Sequence, residues 1–411
     1  MATTTRTPGR VGTAPEPFRE FVVKVNSRCN LACRYCYMYF AADDGWRAQP
    51  VSASPETFER IARRIAEHAA AHRLPAVSVV LHGGEPLLTD PAVLGGFVDL
   101  VRAEVPAGCR VFATAQTNGT PLTPRRLRTL AAHGITVGLS LDGGLAHHNR
   151  LRVDHAGRPA WPGLRRAARL LAEPEHRDTY AGVLCVIDPT TDPVEVYRSL
   201  LELAPPAVDF RLPHGNWTAP PPGLDGARPG AARPGDAPET RPGASRPGDA
   251  RPTPYADWLI PVFDRWWDAD RRRVRIRIFE ECLAALLHQP TAGALFGLHP
   301  FSAVVVETDG AIEQIDSLKT AYPGAAATGL NVASDAFDAA LDHPGVAARQ
   351  AGIEALAPAC RACPLVEVCG GGNYVHRYRA GHGFANPSVY CADLARLIDH
   401  VARALHRAVT R

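Results

Sequence analysis

From residue 21 to about 213, short apolar runs alternate with amphipathic stretches. The apolar runs read as strands: FVVKVNS (21–27), VSVVLHG (77–83), RVFATAQTNG (110–119), TVGLSLDG (136–143), YAGVLCVID (180–188) and AVDFRLP (207–213). Between them, PETFERIARRIAEHAAAH, PAVLGGFVDLVRAEV, TPRRLRTLAAHG, PGLRRAARLLAE and DPVEVYRSLLEL repeat apolar positions at helical spacing. Such alternation predicts parallel βαβ units with right-handed crossovers. Six units fall short of an eight-fold barrel. A partial (β/α)6 TIM-like barrel or an open doubly wound sheet remains, and either puts its ligand at the C-terminal ends of the strands. The polar motifs sit there: cysteines after strand one, Gly83–Pro86 ending strand two, Gln116–Gly119 ending strand three.

Two segments break the pattern. Residues 1–17 offer no apolar periodicity, and 219–254 repeat an RPG triplet at Arg228, Arg233, Arg241 and Arg246. Pro and Gly at this density cannot offset ordering entropy, so both segments are expected to be disordered. The barrel is then 18–218 and bridging helices occupy 255–302. In those helices Trp258, Phe263 and Trp267 lie on or near one core-facing side. A last region, 303–411, opens with a hairpin turning at Asp309–Gly310.

The formal net charge of +3 over 411 residues argues for neither nucleic acid nor a membrane surface as a partner. No apolar signal core or uncharged spanning run occurs, which predicts a cytoplasmic protein. In a reducing compartment the ten cysteines become informative, and seven fall into two tight clusters. Cys109, Cys185 and Cys282 sit in apolar contexts and read as small core residues. Lys24 and Lys319 are the only lysines.

Cys29-x3-Cys33-x2-Cys36 gathers three thiols just beyond a strand. Zinc usually takes four ligands. Three cysteines without a nearby fourth suit a 4Fe–4S cube with one open iron. The spacing, with Tyr35 before the last cysteine, resembles the radical SAM superfamily, in which the open iron chelates S-adenosylmethionine (SAM). Other segments carry the same resemblance: His82-Gly83-Gly84-Glu85-Pro86, Gln116-Thr117-Asn118-Gly119, Ser140-Leu141-Asp142-Gly143 and Arg152. It implies that Tyr35 lies by the adenine, that Gly83, Gly84, Glu85 and Pro86 hold the methionine amino group, and that Ser140 and Arg152 meet its carboxylate. Asn118 and Asp142 are placed in the same SAM site.

Cys360-x2-Cys363-x5-Cys369-x21-Cys391 resembles the SPASM extension of radical SAM peptide maturases. The full pattern serves two auxiliary clusters, but Ile315 and Asn373 occupy two cysteine positions of the inner one. The resemblance thus implies one auxiliary 4Fe–4S cluster on Cys360, Cys363, Cys369 and Cys391. A structural zinc site on these four cysteines is the alternative.

Several further stretches, among them TPYADWLIPVFDRWW and CRACPLVEVCGGGNYVHRYRAGHGFANPSVYCADL, resemble FxsB-type maturases. Those enzymes join an aromatic side chain of a ribosomally made precursor peptide to the Cβ of a residue two positions on, giving a three-residue cyclophane. The implied partners are a precursor peptide and an external flavodoxin- or ferredoxin-like electron donor. Asp316 is the implied base, by analogy with sulfatase-maturing enzymes; an exposed carboxylate at a hairpin end is the other reading. His376, Arg377 and Arg379 stand either at the peptide or in solvent. Aryl ether, thioether and formylglycine chemistry, and a purely structural metal-binding module, are the competing functions.

Overall fold

The computed structural model describes residues 15–225, 252–271, 273–290, 293 and 295–410. Most of the expected N-terminal tail and of the 219–254 loop therefore lies outside the described residues. At the loop's described ends Leu224 is buried and Pro254 opens a helix.

The six expected strands are β1 (Glu20–Asn26), β2 (Ala76–Gly83), β3 (Arg110–Thr117), β4 (Ile135–Ser140), β5 (Tyr180–Val186) and β6 (Ala207–Arg211). Each pairs in parallel with the next. A short α1 (Tyr37–Phe40) follows the first cysteines; the crossovers are α2 (Pro55–Ala71), α3 (Pro91–Glu104), α4 (Pro124–Ala132), α5 (Trp161–Ala172) and α6 (Pro193–Leu201). Four of them start alike. Ser54, Asp90, Thr123 and Asp192 each precede a proline, and each side chain accepts a backbone N–H of the first turn. That satisfies a donor the helix leaves open, while proline at the first position loses no hydrogen bond.

The bridging helices are α7 (Pro254–Arg265) and α8 (Arg277–Leu286), with a two-residue β7 (Arg275–Ile276) between them that extends the parallel sheet beside β6. Trp258 and Phe263 are buried as expected, while Trp267 is partly exposed and stacks on Phe263. The hairpin follows as β8 (Ala303–Val306) and β9 (Ala311–Glu313), continued by β10 (Ala327–Asn331). It does not stand apart from the barrel. β8 pairs in parallel with β1, from Glu20–Ala303 to Val23–Val306, making one ten-stranded sheet ordered β10-β9-β8-β1-β2-β3-β4-β5-β6-β7. All four β8 residues are buried, which is why the run reads as uninterrupted valine. The remaining helices are α9 (Phe337–Leu341), α10 (Pro344–Gln350), α11 (Pro358–Arg361), α12 (Val366–Cys369) and α13 (Cys391–Val409).

Candidate active site

The cysteine loop leaves β1 and is pinned from both sides. Asn26 Oδ1 accepts Arg28 N–H at 2.9 Å, and Arg28 Nη1 donates to Trp46 O at 2.8 Å. Cys29, Cys33 and Cys36 are half-buried, and none of the ten cysteines is in a disulfide. Burial pushes the Cys29 thiol up to about 12 and raises Cys33 and Cys36 as well. Thiolates here therefore need a cation to hold them charged. Cys29 Sγ faces Leu31 N–H at 3.4 Å and Asn118 Nδ2 at 3.7 Å, contacts of the kind that tune a cluster ligand. Among the described residues no three cysteine sulfurs converge to within 4.8 Å. Four sulfurs around one zinc ion would lie about 3.8 Å apart, given Zn–S near 2.3 Å. The donor set fits an iron–sulfur cube better than a single ion.

The GGEP segment closes onto this loop through its backbone. Gly84 N–H donates to Asn26 O at 2.8 Å, and Glu85 N–H to Arg28 O at 3.0 Å. A Cβ on Gly84 would lie 1.9 Å from Tyr39 Oη and 2.2 Å from Arg28 O, so only glycine fits. The Glu85 carboxylate, fully buried, accepts Leu87 N–H (2.9 Å), Thr117 Oγ1–H (2.6 Å) and Asn118 N–H (2.7 Å). It braces the ends of β2 and β3. Burial lifts its pKa to about 7 against those three donors.

Asp142, Arg152 and Tyr35 come together and hold one another. Arg152 donates from Nε and Nη2 to the two Asp142 oxygens at 2.8 Å each, and Tyr35 Oη donates to Asp142 Oδ2 at 2.5 Å. The Arg152 guanidinium lies 5.5 Å from the Tyr35 ring centroid. Two of the fork's donors are thus engaged inside the protein. Ser140 accepts from Gln116 Nε2 at 2.9 Å, beside a Gly138 whose Cβ would strike that glutamine.

Asp316 is not at an exposed hairpin end. It is 8% exposed, and Lys24 Nζ lies 2.6 Å from its Oδ2. Lys24, 1% exposed, also reaches His82 Nδ1 at 3.0 Å and Met38 Sδ at 3.5 Å. Burial opposes the charge on Asp316, yet Lys24 and His82 hold its carboxyl well below the usual range. Tyr37 is buried near the same carboxylate, whose charge helps push the phenol's pKa up, and packs edge-on against His214, 5.0 Å between centroids. Burial holds His82 and His214 neutral down to about 4. The second lysine, Lys319, is also buried, between Glu307 (2.7 Å) and Glu313 (3.1 Å). Sequence reasoning missed Lys24, His82, Tyr37 and His214. The one signal was an ionisable residue inside an otherwise apolar strand.

Cys360 and Cys363 lie on and just after α11, Cys369 ends α12, and Cys391 opens α13. Burial pushes Cys369 up to about 12, and Cys391, Cys360 and Cys363 are near enough to add to it. Arg377 is neither solvated nor open to a peptide. Its guanidinium donates to the carbonyls of Gly370, Gly371 and Gly372 at 2.7–3.0 Å and favours the Cys360 thiolate. His376 is buried, 3.4 Å from His214, whereas Arg379 is only half-buried. Ile315 and Asn373 have apolar or backbone duties instead of ligation. Ile315 is partly buried against the apolar cluster of Leu318, Ala321, Ala325, Ala326 and Val375, as are Tyr374 and Phe384, whose rings stack at 4.4 Å, and Asn373 Oδ1 accepts Val375 N–H at 3.1 Å.

Residues 23–184 match the Radical SAM superfamily. Over 372 residues the chain is 26% identical to the serine-type anaerobic sulfatase-maturating enzyme of Klebsiella aerogenes, covering 90% of this chain and 82% of that enzyme. It is 25% identical over 305 residues to the cysteine-type anaerobic sulfatase-maturating enzyme of Clostridium perfringens (strain 13 / Type A), covering 73% of this chain and 74% of that one. Native anSMEcpe with bound AdoMet shares the fold at a TM-score of 0.75 and 20% identity, over 95% of this chain and 99% of that chain. Streptococcus suis SuiB bound to precursor peptide SuiA shares it at 0.56 and 14%, over 91% and 76%. With three cysteines and a GGEP turn meeting at the head of its parallel sheet, the chain carries a domain of the radical SAM superfamily over residues 23–184.

Proposed function

We propose that this chain is a radical SAM enzyme that oxidises a Cβ of a ribosomally made peptide and joins it to an aromatic side chain two residues away. Cys29, Cys33 and Cys36 would hold the SAM-binding 4Fe–4S cluster, and Cys360, Cys363, Cys369 and Cys391 one auxiliary cluster. When bound, these groups and SAM supply a 5′-deoxyadenosyl radical and an electron acceptor. The protein's own part is to exclude water, orient the peptide and take a proton.

The observation that carries the reading is the buried Asp316–Lys24 pair beside the cysteine loop. Overall the peptide loses two hydrogens: the Cβ–H bond breaks to the radical, a Cβ–aryl bond forms, an electron leaves, and the ring proton goes to Asp316. A ring that has lost an electron is a strong acid. A carboxylate kept ionised, though only weakly basic, is the acceptor that step needs. Lys24 holds the carboxylate in place. Ile315 in an apolar cluster supports a single auxiliary centre, which separates this reading from maturases with two.

A second reading, formylglycine formation from a serine or cysteine, is favoured by the likeness to sulfatase-maturating enzymes. Both readings start with hydrogen abstraction at Cβ, and both change a serine-containing peptide by the same mass. Co-expression with short peptides encoded nearby, followed by fragmentation and hydroxylamine treatment, distinguishes them. A crosslink suppresses backbone fragments between the joined residues and ignores hydroxylamine; an aldehyde does the reverse. An unmodified peptide with intact SAM cleavage would overturn the peptide assignment.

A further inference from the structure

Far along α2 from the strand ends, His68 and His72 stand four residues apart and so share one helix face. Asp338 of α9 meets them there. Its Oδ1 lies 3.0 Å from His68 Nδ1 and 2.5 Å from His72 Nε2, and the three atoms all fall within 4.8 Å of one another. The His68 ring is 1% exposed, set among Phe18, Phe21 and Phe337 at centroid distances of 5.7, 5.9 and 6.3 Å. Its Nδ1 meets the Asp338 carboxylate at 3.0 Å without the alignment of a full hydrogen bond, and the Phe18 backbone lies beside the ring. A buried polar group left so costs about 1–3 kcal/mol, and an ion is one of the few things that repays it. In a second histidine–carboxylate cluster, His147, His148 and Glu195, both imidazoles make ordinary hydrogen bonds to Glu195; a third, Glu173, Glu175 and His176, has one histidine only.

We propose that His68, His72 and Asp338 form a binding site for a divalent cation of the zinc type. Two imidazoles and one carboxylate are a donor set for zinc and its first-row neighbours; magnesium and calcium want oxygen ligands throughout. Burial favours the neutral His68 ring, the form that ligates. His72 and Asp338 are partly exposed, at 28% and 43% of their side chains, and leave the fourth position to water. The role is structural. α2 belongs to the barrel's helix layer and α9 follows the last strand of the hairpin region, so the ion fastens the C-terminal segment to the barrel beside the Phe21–Phe337 contact.

The site is separate from the cysteine clusters, and its test does not depend on the reaction proposed above. Full-length protein with its clusters reconstituted would be incubated with zinc sulfate, desalted, and assayed for zinc and iron, with zinc K-edge absorption to identify the ligands. The expected result is about one zinc per chain with nitrogen and oxygen neighbours near 2.0–2.1 Å. His72→Ala and the shape-preserving Asp338→Asn should each lose that zinc while iron stays unchanged. Zinc should raise the melting temperature of the parent protein and of neither variant. Zinc that washes out of the parent, that persists equally in both variants, or that carries sulfur neighbours near 2.3 Å would overturn the assignment.

Discussion

Lys24 Nζ donates to Asp316 Oδ2 at 2.6 Å across 292 positions of chain, tying the middle of the first barrel strand to the segment just past the hairpin. Neither partner has water to fall back on. Lys24→Met leaves a buried carboxylate unpaired and should cost about 3–5 kcal/mol, whereas removing both charges as Lys24→Met/Asp316→Asn should recover much of it. Denaturant melts of the two single variants and the double variant measure this directly. Asp316→Asn alone should fold, keep cleaving SAM, and lose about 10²–10⁴-fold in peptide product. Product formation at the parent rate would remove Asp316 from the reaction.

Gly84→Ala tests the closure of the GGEP turn onto the cysteine loop. The added Cβ would meet Tyr39 Oη and Arg28 O at 1.9 and 2.2 Å, and the second of these is backbone that cannot step aside. The loop bearing Cys29 must then move. We expect iron to fall from about eight to about four per chain, with the auxiliary cluster spared. Gly96→Ala, where a Cβ meets nothing within 4 Å, is the matched control and should keep all its iron.

The barrel was legible because its strands are buried on alternate or both faces and its helices repeat apolar positions at helical spacing. Both signals are local. β7 and the place of β8 in the sheet were not legible. A two-residue strand has no period, and the pairing of Val304 with Phe21 joins positions that only the folded chain brings together. The clustered cysteines declared themselves by spacing. Lys24 did not, because its partner lies at the other end of the chain. Glu85 and Arg152, which the motifs singled out, are both engaged inside the protein, with Thr117 and Asp142.

Acid sensitivity should follow from His214. Its pKa falls from 6.5 to about 4 through burial and the nearby Arg211 charge. Between those values the unfolded chain binds a proton that the folded chain refuses, so stability is lost as pH falls through that window. His214→Phe removes the effect while keeping the ring that packs against Tyr37. Titrating groups away from His214 cancel in the comparison, and His376, 3.4 Å away and itself held neutral by burial, is followed in parallel with His376→Phe. Melting curves from pH 7 to pH 4.5 should fall more steeply for the parent, by up to one proton; parallel curves would mean His214 is protonated in the folded chain.

The auxiliary region offers the sharpest separation of one cluster from two. If the inner site had merely lost its ligands, restoring cysteines would refill it. Ile315, however, packs into an apolar cluster closed by the stacked rings of Tyr374 and Phe384, and Asn373 is spent capping the turn that carries Tyr374. Ile315→Cys/Asn373→Cys should therefore bind no more iron than the parent and should be less stable, since it trades a buried methyl-rich contact and a cap for two thiols. Cys391→Ala should instead remove about four irons and leave SAM cleavage intact. Iron analysis with Mössbauer spectroscopy distinguishes the outcomes. A gain of about four irons in the double-cysteine variant would show that the inner site survives as a cavity and that the aromatic stack yields to it.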